Sequence, residues 1–328
     1  MRTRATRRGL HLTELGLGAA QFGNLYRETT DGQAAGAVTA AWDAGIRYFD
    51  TAPHYGLGLS EQRLGALLAQ HPRDEYLVSS KVGRLLVDSP ELADRMDDEG
   101  FAVPANRRRV WDFSREGILR SVEATLERTG LDSIDIVYLH DPDDHLEQAL
   151  GEGIQTLIDL RDQGVVRAIG AGMKQSEALA ALIRAADVDL VMLAGRYTLL
   201  EQGAADDLLP LALESGVGVV IAGVYNTGLL SSARPSAGAK YEYEDAPAEL
   251  IARANAIADV CETHGVSLPE AALAFPLLHP AVVSVVVGVR DAAQMNSNVE
   301  RYATPIPAAL WSELVELRLL PESTFIHA

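Results

Sequence analysis

The sequence predicts an α/β fold of one domain, a (β/α)8 TIM barrel of eight parallel strands, each followed by a helix. Three observations carry that prediction. Short β-branched runs alternate with longer segments of helical period from near the start of the chain to near its end. The runs number eight. Several are continuously apolar, such as Ile134, Ile136, Val137 and the group Val282, Val283, Val285, Val286, Val287, which suits strands covered on both faces.

Taken in order, the strands are expected at 14–19, 46–50, 76–81, 134–139, 165–171, 189–193, 217–222 and 283–287. Helical patterns fall between them at about 32–44, 60–70, 114–129, 146–163, 175–186, 203–215 and 248–263, with shorter ones at 268–278 and 291–299. No Pro-, Ser- or Gly-rich linker divides the series, so 1–328 reads as a single domain, with 1–10 a flexible basic tail carrying Arg2, Arg4, Arg7 and Arg8. A doubly wound sheet would need G-x-G-x-x-G at the first strand–helix turn. The chain has Gly16-Leu17-Gly18-Ala19-Ala20-Gln21 there, with Gln21 in place of the third glycine. Strands three and four, and strands seven and eight, start about twice as far apart as the other neighbours. The excess lies in 84–113 and 223–247, long insertions after strands three and seven, at the strand ends where barrels carry their sites.

Composition excludes several classes. With 28 Lys+Arg against 46 Asp+Glu the formal charge is −18, the wrong sign for a general nucleic-acid binder. No run approaches the ~18 apolar residues of a membrane span. The lone Cys261 permits no internal disulfide, and a cytoplasmic location is expected. No long apolar surface stripe marks an oligomer interface.

Strand two ends in Phe49-Asp50 and the turn Thr51-Ala52-Pro53-His54-Tyr55-Gly56, strand three in Ser80-Lys81, and strand four in Leu139-His140. The barrel register therefore brings Asp50, Tyr55, Lys81 and His140 to one rim. Singly, each has an ordinary explanation: a turn cap, a packed aromatic, a solvated strand end, a core histidine. Their joint arrival on adjacent strands at the functional face favours a site. A phenol ionises near pH 10, too high for easy proton exchange at neutral pH. A lysine ammonium beside it favours phenolate and lowers that value, and a carboxylate such as Asp50 keeps the lysine charged and in place. A neutral His140 donates a hydrogen bond and orients the substrate. The set holds no nucleophile and no metal cage, so no metal is expected. It suits moving one proton while another group moves a hydride.

The run Gly45-Ile46-Arg47-Tyr48-Phe49-Asp50-Thr51-Ala52-Pro53-His54-Tyr55-Gly56, followed by Ser60-Glu61, Leu64-Gly65 and Leu67-Leu68, resembles the signature of the aldo-keto reductases, NAD(P)-dependent barrel oxidoreductases. Ser79-Ser80-Lys81-Val82-Gly83 and Leu139-His140 occupy that family's lysine and histidine positions, and Gly288, Gln294 and Asn298 match its adenine-end cofactor segment. The resemblance implies a catalytic tetrad of Asp50, Tyr55, Lys81 and His140, with Tyr55 as acid/base. Within the family, Val82-Gly83-Arg84-Leu85-Leu86, Trp111-Asp112-Phe113-Ser114-Arg115 and His140-Asp141-Pro142-Asp143-Asp144-His145 resemble the branch of aldose (D-threo-aldose or L-fucose) 1-dehydrogenases and pyridoxal 4-dehydrogenases. That implies oxidation of a small cyclic hemiacetal to a lactone. Pyridoxal, also a cyclic hemiacetal, presents the same local chemistry; a broad NADPH-dependent aldehyde or ketone reductase and a cofactor-binding regulatory subunit are the alternatives.

An acidic chain that binds a polyanionic dinucleotide must do so with local donors. Gly288-Val289-Arg290-Asp291 leads strand eight into a helix, and Arg290 is the expected phosphate contact; Asp291 beside it would repel a 2′-phosphate, which inclines the reading towards NAD over NADP. Two positions depart from the family. Met173 or Lys174 falls where an asparagine usually holds the nicotinamide amide, leaving Gln175 as the expected substitute, and Ala222 stands where many members carry a stacking aromatic. Tyr197 or Tyr225 is the candidate aromatic wall. Substrate-side candidates are His54, Trp111 and Tyr225, with Tyr241 and Tyr243 in the second insertion.

Overall fold

In the computed structural model, which describes residues 1–242 and 244–322, the chain opens with an antiparallel hairpin, β1 (Thr3–Ala5) and β2 (His11–Thr13). It then lays down β3 (Leu15–Gly18), β4 (Tyr48–Asp50) and β5 (Leu77–Val82), and leaves the sheet as a second hairpin, β6 (Arg84–Asp88) with β7 (Arg107–Trp111). The sheet resumes with β8 (Ile136–His140), β9 (Ala168–Met173), β10 (Leu190–Ala194) and β11 (Gly218–Ala222). A two-residue ladder of β12 (Lys240–Tyr241) and β13 (Glu244–Asp245) precedes the last strand, β14 (Val282–Gly288). In the order β3-β4-β5-β8-β9-β10-β11-β14, closing back on β3, eight parallel strands make a closed barrel, the predicted fold.

Helices start where the sequence supplies caps. Thr30 and Gln33 form a reciprocal capping box at Asp31–Asp43, Ser114 accepts from the Gly117 amide at Arg115–Thr129, and Asp291 accepts from the Gln294 amide at Ala292–Ala303. The two-residue period of the strands sorts side chains between two cores. Phe49, Val78, Val137 and Leu139 face the helices, whereas Tyr48, Leu77, Ile136 and Tyr138 fill the barrel interior. By the same alternation Asp50, Ser79, Lys81 and His140 follow the inward series, which is what delivers them to the C-terminal rim.

The amino-terminal segment corrects one expectation. Residues 3–13 are a hairpin against the opposite end of the barrel, with Leu10 and Leu12 in its interior core. Arg4 donates to Glu14 and to the carbonyls of Leu277 and Val282, while Arg7 and Arg8 pair with Asp187 and Asp189. The arginines that suggested a loose tail have their acidic and carbonyl partners more than 170 residues away in sequence for all but Glu14, so composition alone could not reveal them. β8 and β9 also begin two and three residues later than predicted; continuous apolar runs have no alternation to mark where a ladder starts. Tyr243 lies outside the described residues. Among those described, no helix is long and apolar enough to cross a membrane.

Candidate active site

The four rim residues meet. Lys81 Nζ donates to Asp50 Oδ2 at 2.7 Å and to the Thr51 carbonyl at 3.0 Å, and Ser79 Oγ donates to Asp50 Oδ1 at 2.7 Å. The ammonium stands 4.8 Å from the centre of the Tyr55 ring and interacts with its phenol oxygen. The His140 ring is perpendicular to Tyr55, centroids 5.9 Å apart. Two glycines hold this geometry. Gly56, at φ +64, lies so close to the backbone of Gly23 that an added Cβ would meet its carbonyl oxygen at 2.2 Å; Gly83, at φ +98, turns the chain beneath the ring of Phe113.

Electrostatics refine the expected roles. Burial pushes the Tyr55 phenol up, and although Lys81 pulls the other way it does not win, so the fall expected from the lysine alone is reversed. Tyr55 is therefore a neutral phenol at neutral pH. Burial works against the Lys81 ammonium, but Asp50, and then Tyr55, hold it above its ordinary value. His140 is driven well below the usual imidazole range by burial and then by Arg84 and Lys81, so it is neutral, as expected.

Around this centre stands a wall that joins the expected substrate-side residues His54 and Trp111 to Arg84, Asp141 and His145, which the motifs contain but to which the sequence assigns no role. Arg84 Nη2 donates to Asp141 Oδ2 at 2.5 Å, and the guanidinium lies 4.3 Å over the half-exposed ring of Trp111. Trp111 also packs on His145, centroids 5.3 Å apart. Asp141, in the left-handed region at φ +39, brings Oδ2 within 3.5 Å of His140 Nε2. His54 sits edge-on to both His140 and Phe101, at 5.5 and 5.2 Å. Its carbonyl accepts from Arg109, whose guanidinium is itself paired with the buried Asp97. Burial, then Arg84, Arg109 and Lys81, pull the His54 imidazole down to about 2. Arg84 Nε, His54 Nδ1 and His140 Nδ1 are buried without hydrogen-bond partners, the kind of residual capacity a polar ligand satisfies. The signal that could have found Arg84 was its place: three residues after Lys81, where strand three leaves the barrel.

The β14 side reads differently from expectation. Arg290 is buried and turned into the protein, where its guanidinium donates to the carbonyls of Leu25 and Arg27 and to the Thr29 hydroxyl. It clamps the 25–29 loop rather than presenting a free phosphate contact. Gln294 Oε1 accepts from the Arg290 amide, and Asn298 Oδ1 accepts from the Tyr225 hydroxyl at 2.7 Å. Tyr225, stacked by Arg301 at 5.3 Å, thus belongs with this side and not with the substrate-side residues. Tyr197 is fully buried against Phe275, spent on the core. Gln175 is the exposed N-cap residue of Ser176–Ala185, Met173 is buried, and Ala222 ends β11. Lys174 and Arg196 both pair with Glu242 between β12 and β13, and Tyr241 donates to Glu201. The second insertion is thereby tied to the loops after β9 and β10.

The groups at this end with capacity left over suit parts of a dinucleotide. Gly288 is exposed, and a Cβ in its place would meet the Gln21 side chain at 2.7 Å, so the two positions pack too closely for a larger residue. Gln21 Oε1 is buried without a partner, an acceptor that suits a ligand hydroxyl or amino group and not a phosphate. Exposed Arg27 lies near enough to Arg290 to depress its ionisation, after burial, which concentrates positive charge at the start of Ala292–Ala303.

Barrel and rim together are the frame of a class of (β/α)8 oxidoreductases. The sequence model of the aldo/keto reductase family matches residues 14–318, and the chain belongs to that family, whose members use NAD(P). It is 52% identical over 316 residues to D-threo-aldose 1-dehydrogenase of a Pseudomonas species, covering 95% of this chain and 96% of the relative. It is 38% identical over 325 residues to pyridoxal 4-dehydrogenase of Microbacterium luteolum, covering 94% of each. Among solved structures, aldo-keto reductase AKR11C1 from Bacillus halodurans, in its holo form, superposes with a TM-score of 0.74 at 26% identity, over 97% of this chain and 96% of that one.

Proposed function

We propose that the protein oxidises C1 of an aldose in its cyclic hemiacetal form, giving a lactone, with Tyr55 as the proton-transfer group and NAD as the preferred cofactor. The observation that carries the reading is the buried Asp50–Lys81 pair set against Tyr55, beside a neutral His140. The bound nicotinamide supplies the hydride acceptor. Tyr55 takes the proton of the anomeric hydroxyl as the lactone carbonyl forms, Lys81 stabilises the phenolate this requires, and Asp50 keeps Lys81 charged and aimed. His140 holds the reacting oxygen by a hydrogen bond. Because burial keeps Tyr55 protonated at neutral pH, oxidation speeds up as pH rises.

The Arg84–Asp141 pair supports a polyhydroxylated substrate, since a guanidinium and a carboxylate side by side offer donors and acceptors to ring hydroxyls. Similarity to an enzyme named D-threo-aldose 1-dehydrogenase points the same way. Pyridoxal is the second reading, favoured by the pyridoxal 4-dehydrogenase relative. The commitment of Arg290 to the 25–29 loop, with Asp291 spent as a helix cap, supports NAD over NADP. On the β14 side, Gly288, Gln21 and Arg27 are the groups placed to hold the dinucleotide. A screen of reduced-cofactor absorbance with NAD or NADP against L-fucose, other aldoses, pyridoxal and simple aldehydes tests the assignment. Turnover of an aldose with NAD is the expected result; an enzyme that oxidised pyridoxal alone, or only reduced aldehydes with NADPH, would replace it.

A further inference from the structure

Below the rim, four buried groups form a hydrogen-bonded line through the barrel interior. Ser79 Oγ is 2.7 Å from Asp50 Oδ1, Tyr48 Oη is 3.1 Å from Ser79 Oγ, and Tyr138 Oη is 3.3 Å from Tyr48 Oη. Ser79, Tyr48 and Tyr138 have no solvent exposure, and Asp50 is 3% exposed. The chemistry of the groups sets the direction of every bond. An ionised carboxylate only accepts, so the one Ser79 proton goes to Asp50; the Phe49 carbonyl, at 3.5 Å, is the poorer acceptor. Ser79 must then accept from Tyr48, and Tyr48 from Tyr138. All three hydroxyls point towards Asp50.

We propose that Ser79, backed by Tyr48 and Tyr138, is a positioning residue that keeps Asp50 Oδ1 occupied, so that the carboxylate takes a single N–H of Lys81 and leaves one for Tyr55. An ammonium has three donors. Here Asp50 Oδ2 and the Thr51 carbonyl use two, and the third is free to serve the phenol. Without Ser79, both carboxylate oxygens compete for the lysine and draw it from Tyr55. The groups that bear on Tyr55 are Asp50 at the end of β4, Lys81 on β5, His140 and Asp141 at the end of β8, Arg84 on β6, and the adjacent His54. Of these, Lys81 is hydrogen-bonded to the phenol while Arg84 acts on it only through its charge, so displacement of Lys81 moves the ionisation of Tyr55 upward.

This inference rests on the reading of Tyr55 as the proton-transfer group. The test is the pH profile of kcat for L-fucose oxidation with NAD in Ser79→Ala, Ser79→Thr and Tyr48→Phe, with Tyr55→Phe alongside. Ser79→Ala is expected to shift the rising limb to higher pH by about 0.5 to 1 unit, with activity lost below the midpoint and recovered above it. Ser79→Thr, which keeps the hydroxyl, restores the wild-type midpoint, and Tyr48→Phe gives a smaller shift of the same sign. A residue with only a packing role would lower activity at every pH and leave the midpoint where it was. An unmoved midpoint in folded Ser79→Ala, or in Tyr48→Phe should Ser79→Ala not fold, overturns the proposal. Turnover surviving in Tyr55→Phe overturns instead the reading beneath it.

Discussion

The rim of this barrel has two unlike halves. The half built from β4, β5 and β8 turns charge towards the centre: Lys81 on Asp50, Arg84 on Asp141, with Tyr55, His54 and His140 among them. The half at β14 turns its polar groups on the chain itself, Arg290 on the 25–29 loop, Gln294 on the Arg290 amide, Asn298 on Tyr225. The first half gathers ionisable groups around Tyr55, and the second spends its polar groups on holding a loop in shape. Residues of the same type therefore carry different consequences on the two sides.

Lys81→Met breaks the first half in both turnover and stability. Turnover is expected to fall by roughly 10² or more, and the buried Asp50 charge left unpaired costs about 3–5 kcal/mol of stability. Urea unfolding and initial rates measure the two effects; the double variant Asp50→Asn/Lys81→Met should regain much of the stability and none of the turnover. Next in size, Arg84→Met should raise KM for an aldose by roughly tenfold or more while leaving cofactor affinity unchanged, the loss expected of about one charge-assisted hydrogen bond.

Arg290→Met sharpens the contrast from the other side. If the guanidinium serves the 25–29 loop, the variant loses about 1–3 kcal/mol of stability because it strands carbonyls that now have a donor, and its ratio of NAD to NADP affinity stays as it was. A stable variant with NADP affinity selectively weakened would return Arg290 to the phosphate. Over the mildly acidic range the effect on stability is smaller. His54 is held down to about 2 in the folded protein, while in the unfolded chain it titrates at its usual value of 6.5. Between those values the unfolded state binds the additional proton, so stability is complete above about pH 6.5 and declines as pH falls below it, by about 1.4 kcal/mol per unit. The Glu99 carboxylate, 3.6 Å from Nδ1 but half-exposed, does not offset the burial. Unfolding of His54→Gln followed from pH 6.5 to 5 should show a slope shallower by that amount.

The same asymmetry explains what the sequence could and could not disclose. Asp50, Lys81 and His140 are legible because a strand end and a period of two place an inward residue without further information. Tyr55 is legible because its turn follows directly from β4. The role of Arg84 is not legible because it stands past the barrel strand, in a hairpin whose fold back towards Asp141 and Trp111 depends on contacts distant in sequence. The sense of the Tyr55 shift escaped because burial depends on everything packed above the ring, Phe101 and His54 included, while sequence adjacency offered only Lys81. The place of Arg290 after the last strand is legible and its partners are not: Leu25, Arg27 and Thr29 lie more than 250 residues away in the chain. The amino-terminal arginines failed for the same reason. Short-range pattern fixes where a side chain starts, and long-range contact decides what it is spent on.

The account stands on Tyr55 as the group that moves the proton, and Tyr55→Phe tests it most directly. The substitution keeps the ring against Phe101 and His140 and removes only the hydroxyl. Turnover measured with a saturating aldose and NAD, beside cofactor affinity from fluorescence titration, should show a loss of about 10³-fold with affinity unchanged. Turnover within a few-fold of the wild type, with the cofactor bound as before, would contradict it.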